Sequence, residues 1–269
     1  MRTTKKYKLG IIGLGHMGLA IARGAVNKDY LERYEICVND PSQHAANDCL
    51  KERFAQVDTP KELAEQCHII LIAVRPQQVE KVLADLKDVP IDVVLSIVTG
   101  VSIAHLQKEL NNTPIIRAMP NTPLQINEGA TALCMSENCR ADDYDFVFKL
   151  FASMGVTRTI PEDKMNDIVA VHGSTPAYVY YFVQCILQDA VERGIDEESA
   201  RALLVQTFIG SAKLLQKNAG KDLDTFINEV ATEGGTTIEA IKTLKEDKVD
   251  KIIHDANENC IERAKQLGK

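Results

Sequence analysis

The sequence predicts an α/β N-terminal domain with a parallel sheet, followed by an all-α helical C-terminal domain, from three observations. Up to about residue 161, short β-rich apolar runs alternate with amphipathic stretches, and beyond it no comparable run occurs. A glycine-rich turn stands directly after the first apolar run. The rest of the chain repeats apolar residues every three or four positions, as at Val249, Ile252, Ile253 and Ala256, which is the period of a helix. Strands that alternate with helices imply parallel pairing, with the sheet covered on both faces.

In chain order the strand runs are KLGIIG, YEICVN, HIILIAV, VVLSIV, PIIRAM, ATALCM and GVTRTI. Helical stretches fall at residues 21–27, 43–51, 77–86 and 103–110, and in the second part at 177–193, 196–217 and 247–266. No low-complexity linker and no internal repeat intervenes, so two abutting domains are expected, 1–161 and 162–269.

Composition narrows the function. The chain has 269 residues, 45% hydrophobic and 26% charged, enough for two cores. Its net charge is −7, and the only dense basic run is Lys5-Lys6-Tyr7-Lys8, which argues against nucleic acid as a partner. The seven cysteines form no CxxC pair, and Cys134 and Cys139 lack the second half of a zinc site, so no metal is expected. They read as reduced, mostly buried thiols of a cytoplasmic protein. No signal-peptide core and no apolar run of spanning length is visible, so no membrane partner is expected.

The first chemical motif is Gly13-Leu14-Gly15-His16-Met17-Gly18, placed after the strand KLGII and opening a helix. In such a turn the first glycine permits the sharp bend. The second lets backbone approach a pyrophosphate, and the third allows close packing of helix on strand. The N-terminal α/β domain thus reads as a Rossmann dinucleotide-binding domain. The second strand ends in Asn39-Asp40, where an acid can meet the adenosine ribose; equally, Asp40 with Pro41 can cap the next helix. Further loops follow the later strands: Ala73, Val74, Arg75 and Pro76 in AVRPQ, with Pro76 stopping the strand; Thr99 and Gly100 in SIVTGVSI; and Asn121 with Thr122 in RAMPNTP. Strand-end loops on one edge of an open sheet line a ligand cleft.

The second motif is NEVATEGGTTI, residues 228–238. Two glycines in a helical region let backbone N–H groups approach a ligand, and a helix starting near Thr236 turns its positive end toward an anion. Helix capping by Thr236 and Thr237 is the other reading.

With these segments in view, the chain resembles the pyrroline-5-carboxylate reductases over essentially its whole length. GIIGLGHMG, AVRPQ, SIVTGVSI, RAMPNTPLQINEGATALC, HGSTPAYVYYF and above all ATEGGTTIEAIKTLKE carry the resemblance. It implies reduction of Δ1-pyrroline-5-carboxylate to L-proline with NADPH or NADH, and a helical domain that binds substrate and interlocks with a second subunit in a homodimer or higher oligomer. It also implies that Thr232, Gly234, Gly235, Thr236 and Thr237 surround the substrate, with the Thr237 hydroxyl at the ring nitrogen. Three positions depart from the family pattern: Thr232 and Glu233 stand where serine and proline are usual, and Thr175 where glycine or serine is. A glutamate beside a carboxylate site is electrostatically awkward unless it points outward.

The chemistry requires no acid–base pair. Hydride transfer belongs to the cofactor, while orientation and electrostatics fall to the protein. His16 is expected on the surface of the glycine loop and His172 as a packed helix residue. A hydroxyacid dehydrogenase would need an asparagine four residues after its lysine; here Lys164 is followed by Asn166. A catalytically weakened dinucleotide-binding paralogue, or a reductase of another cyclic imine, stays open because of Glu233.

Overall fold

The computed structural model describes residues 5–268. The chain divides into two compact units: residues up to Pro176 together with those from Cys260 onward, and Ala177–Asn259. This packing division lies fifteen residues beyond the expected boundary at 161 and returns the C-terminal turns to the first unit, a long-range packing effect that periodicity does not encode.

The first unit runs β1 (Tyr7–Ile12), α1 (His16–Asn27), β2 (Ile36–Asn39), α2 (Gln43–Glu52), β3 (Ala55–Gln56), α3 (Pro60–Gln66) and β4 (Cys67–Ile72). It continues with α4 (Val79–Leu86), β5 (Val93–Ser96), α5 (Ile103–Glu109), β6 (Ile115–Pro120), β7 (Gly129–Met135), α6 (Ala141–Ala152) and β8 (Gly155–Thr159). The strand order is β3-β2-β1-β4-β5-β6-β7-β8. Its first six strands have the doubly wound order, whose direction of winding reverses between β1 and β4. The expectation of a parallel sheet holds for every pair except β6 and β7, which are antiparallel. Only residues 121–128 join these two strands, too few for the crossover that parallel pairing needs. The two-residue β3 and seven-residue α3 had no counterpart among the expected elements.

Strand alternation divides the core between two faces. Leu9, Ile11, Ile69, Leu71, Val93 and Leu95 point to one, where Ile21, Ala25, Val147 and Phe151 of α1 and α6 cover them. Ile70, Ile72 and Val94 point to the other, beneath Leu63 of α3, Leu83 of α4 and Leu106 of α5. Helix α4 shows the economy of the pattern: Val79, Val82, Leu83 and Leu86 are its buried residues, a single stripe worth roughly 1.5–3 kcal/mol per side chain. Burial pushes the thiols of Cys49, Cys134 and Cys139 up to about 11. Cys185 alone is exposed.

Arg117 of β6 is 3% exposed. Its Nη1 donates to Glu162 Oε1 at 3.1 Å, and the same oxygen accepts the Ile103 N–H at 2.6 Å. Arg117 Nη2 has no partner. Glu162 therefore ties the segment after β8 to the start of α5.

A π-helical turn, Val169–Gly173, precedes α7 (Thr175–Glu192). The second unit continues with α8 (Glu197–Lys217), α9 (Leu223–Val230) and α10 (Thr236–Glu246), and α11 (Val249–Leu267) leads back to the first. Within the single chain α8, α9 and α10 bury no residue. Among the described residues no helix is long and apolar enough to cross a membrane.

Candidate active site

At the carboxyl edge of the sheet, backbone hydrogen bonds stitch successive strand ends together. Gly13 N–H donates to Asn39 O at 2.9 Å, Ala73 N–H to Ile12 O at 2.8 Å, and Ile97 N–H to Ile72 O at 3.2 Å. The loops after β1, β2, β4 and β5 are thus held as one rim, at the reversal point where open α/β sheets bind ligands.

The three motif glycines have separate physical reasons. Gly13 has φ +94°, and a Cβ there would lie 2.8 Å from Ala73 O. A Cβ on Gly18 would lie 2.2 Å from Gly13 O, so helix and turn touch through backbone. Gly15 faces open space, with nothing within 4 Å of its Cβ direction. It is also the N-cap of α1, which has no side-chain cap and no acid in its first turn. The helix therefore begins with free N–H donors and a positive dipole end, the arrangement that holds a diphosphate. Leu14 is buried and Met17 packs against the core, so both offer backbone only, whereas His16 is exposed as expected.

Asp40 is not the cap of α2. Ser42 is, accepting the Ala45 N–H. The Asp40 carboxylate instead takes the Leu14 N–H on Oδ2 and the Ser42 N–H on Oδ1, both at 2.8 Å. It braces the glycine loop and holds its negative charge in place. Asn39 is buried and donates from Nδ2 to Val57 O at 3.1 Å.

Further along the rim, β4 ends at Ile72, four residues before Pro76, which opens a 3-10 turn instead of stopping the strand. Ala73 and Val74 are half-buried and Arg75 is exposed. Gly100 is buried with φ +86°, and Thr99 Oγ1 donates to Met119 Sδ at 3.9 Å. Asn121 acts as a brace: Nδ2 donates to His172 O at 3.1 Å and Oδ1 accepts the Ala130 N–H at 2.8 Å. His172 is more than a packed helix residue. Its Nε2 lies 2.7 Å from Met119 O and Nδ1 lies 3.1 Å from Ile168 O, fixing the π-helical turn to the end of β6. No spacing rule signals that role. A small cavity of about 180 Å³, between α1 and the turn carrying Gln125 and Asn127, lies beside the glycine loop and is too small for a dinucleotide.

The second glycine turn lies in the helical unit. Gly234 has φ +76°, and the Gly235 N–H donates to Thr232 O at 3.0 Å. Gly235 is the N-cap of α10, and no side chain caps that helix. Capping by Thr236 or Thr237 is thereby set aside: both fall inside the first turn. Thr237 is half-buried, while Glu233 is exposed. The residues expected at the cofactor thus fall in the first unit, and those expected at the substrate in the second.

A doubly wound sheet with an uncapped glycine turn at its reversal point defines a dinucleotide-binding protein of the Rossmann class. Two family models match the chain: "Pyrroline-5-carboxylate reductase dimerisation" at residues 162–267 and "NADP oxidoreductase coenzyme F420-dependent" at residues 8–100. The chain is 32% identical over 268 residues to the pyrroline-5-carboxylate reductase of Pasteurella multocida (strain Pm70), covering 96% of each. It is also 32% identical over 270 residues to that of Escherichia coli (strain K12), covering 97% of this chain and 98% of the other. The crystal structure of a Plasmodium falciparum pyrroline carboxylate reductase with NADP bound superposes with a TM-score of 0.87 at 28% identity, covering 99% of this chain and 100% of that one. This chain belongs to the pyrroline-5-carboxylate reductase family.

Proposed function

We propose that this chain reduces the C=N bond of Δ1-pyrroline-5-carboxylate to give L-proline, using NADPH or NADH. The observation that carries the reading is that a chain matching these reductases end to end has two helices, α1 and α10, that begin at glycine without a side-chain cap. Each presents N–H donors to an anion: α1 to the cofactor diphosphate, α10 to the substrate carboxylate.

When bound, the reduced nicotinamide supplies the hydride. The chain's own residues hold and orient. Gly13, Gly15 and Gly18 shape the loop that receives the diphosphate, and Asp40 sets its adenosine end. Gly234, Gly235 and the Thr236 N–H receive the carboxylate. The Thr237 hydroxyl hydrogen-bonds the ring nitrogen, keeping the imine carbon aligned for attack.

The working form is a homodimer or a higher oligomer. Tyr180 at 64%, Leu203 at 71% and Val230 at 67% exposure leave apolar surface on α7, α8 and α9 of a single chain, more than a monomer ordinarily leaves in water. The dimerisation family model over residues 162–267 supports the same reading. A cytoplasmic setting accords with seven cysteines that are all free.

Steady-state kinetics with pyrroline-5-carboxylate, against 2-keto acids and other cyclic imines, tests the reading. Turnover of pyrroline-5-carboxylate well above the panel is expected. Tight cofactor binding with no turnover of any member would identify a weakened paralogue, and preference for another imine would move the substrate.

A further inference from the structure

The C-terminal end of α11 belongs to the same compact unit as the sheet, although 83 residues of helical unit separate them in sequence. Its contact with that unit is unusually close. A Cβ on Gly268 would lie 2.0 Å from Gly100 O and 2.5 Å from Gly100 C. In the other direction, a Cβ on Gly100 would lie 2.4 Å from Ala264 O and 2.7 Å from Gly268 N. Two glycine backbones therefore meet with no side chain between them, and these are backbone atoms, which cannot swing aside as a flexible side chain would. Ala264, 2% exposed, joins the core on that face of the sheet. Two lesser ties hold the same segment: Cys260 Sγ lies 3.1 Å from Ser174 Oγ, and Lys265 Nζ lies 3.8 Å from Asp167 Oδ1.

What the segment touches is the loop carrying Thr99 and Gly100, one of the rim loops at the carboxyl edge of the sheet. Gly100 sits at φ +86°, a conformation that costs little only for glycine. On its inner side the loop is held by the Ile97 N–H on Ile72 O and by Thr99 Oγ1 on Met119 Sδ. The last turn of α11 supplies a wall at Gly100 itself.

We infer that Gly268, through Gly100, is a positioning residue for the cofactor: the end of α11 fixes the height of the Thr99-Gly100 loop at the dinucleotide rim. This rests on the reading of the chain as an NAD(P)H-dependent reductase. A loop displaced by about 1 Å loses much of the advantage of a preset site, and a methyl group 2.0 Å from Gly100 O forces a displacement of that order or expels the turn.

The test compares Gly268→Ala, Gly268→Val and a chain ending at Leu267 with Gly220→Ala, where nothing lies within 4 Å of the added Cβ. NADPH dissociation constants are measured by fluorescence titration without substrate, with thermal melts alongside, and kcat and KM are measured separately. The expected result is a rise of about five- to tenfold in Kd and KM for NADPH, largest for valine. The kcat at saturating NADPH should stay near wild type, while the melting temperature falls for the two Gly268 substitutions but stays near wild type in the shortened chain, with Gly220→Ala unchanged. The shortened chain, which removes the Gly268 part of the wall without a clash and leaves Ala264 in place, keeps the test valid should the valine variant not fold. Unchanged NADPH dissociation constants in both Gly268→Ala and the shortened chain overturn the inference whatever the substrate proves to be. Failure of the wild type to reduce pyrroline-5-carboxylate while binding NADPH would instead overturn the substrate reading and leave the loop contact to be judged by Kd alone.

Discussion

At the head of α1 the backbone is locked, since a Cβ on Gly18 would lie 2.2 Å from Gly13 O and one on Gly13 would lie 2.8 Å from Ala73 O. At the head of α10 nothing lies within 4 Å of Gly234, and Gly235 meets only Thr232, at 3.0 Å and beyond. In the proposed reading the two turns serve one chemical purpose, a helix N-terminus offered to an anion, but they are built differently. The first is preformed by packing among strand ends, while the second is held by a local turn and one backbone hydrogen bond. Damage to the packed glycines of the first, Gly13 and Gly18, should cost stability and cofactor binding together; damage to the second should cost substrate binding and rate with stability unmoved.

The largest effect is expected from Gly18→Val, which drives a branched side chain into the Gly13 carbonyl. Overpacking of about 3 kcal/mol should lower the urea midpoint and abolish NADPH binding in the folded fraction. A variant with wild-type stability and affinity would break the claim that packing preforms this turn. Next comes Thr237→Ala, which removes the hydrogen bond proposed to the reacting ring and should raise the barrier by about 1–3 kcal/mol. Melting temperature and NADPH affinity should not move; a fall in either would mean that the second turn is as structural as the first. Gly15→Ala sharpens the contrast further, because its backbone at φ −70° and ψ −172° suits alanine and its Cβ meets nothing. Stability should change by less than about 0.5 kcal/mol, while NADPH affinity falls by about tenfold; equal affinity would show that no ligand approaches that glycine. The smallest effect is expected from Asp40→Asn. The carboxylate is held by two N–H groups beside the glycine loop, so in the proposed site a 2′-phosphate would meet a fixed negative charge. Neutralising it should shift preference toward NADPH over NADH by about 1 kcal/mol, read as the ratio of the two kcat/KM values, and an unmoved ratio would remove Asp40 from cofactor choice.

The sequence shows the locked turn well, because strand, glycines and helix are contiguous and each glycine has a local cause. It shows the open turn only through likeness to a family, since a glycine pair before two threonines fits a capped helix just as well; the absence of a cap at Gly235 is a fact of geometry. Direction is also hidden: the run ATALCM reads as a strand, and only the short connection from Pro120 reveals that β7 runs against its neighbour. The contacts of Gly268 with Gly100, and of His172 with Met119, join residues far apart in sequence and leave no periodic trace. Asp40 was ambiguous because both of its candidate roles use the same carboxylate, and the structure gives it a third, bracing the loop.

The ion pair between Arg117 and Glu162 spans 45 residues, and this gives the fold an order in time. Synthesis delivers the chain N-terminus first, so β6 carries its guanidinium toward the interior of the sheet while the matching carboxylate has yet to be made. An unpaired buried cation costs several kcal/mol, and until residue 162 emerges the half-made sheet has reason to stay open around β6. A fragment stopped at 161 would hold every strand and still strand that charge.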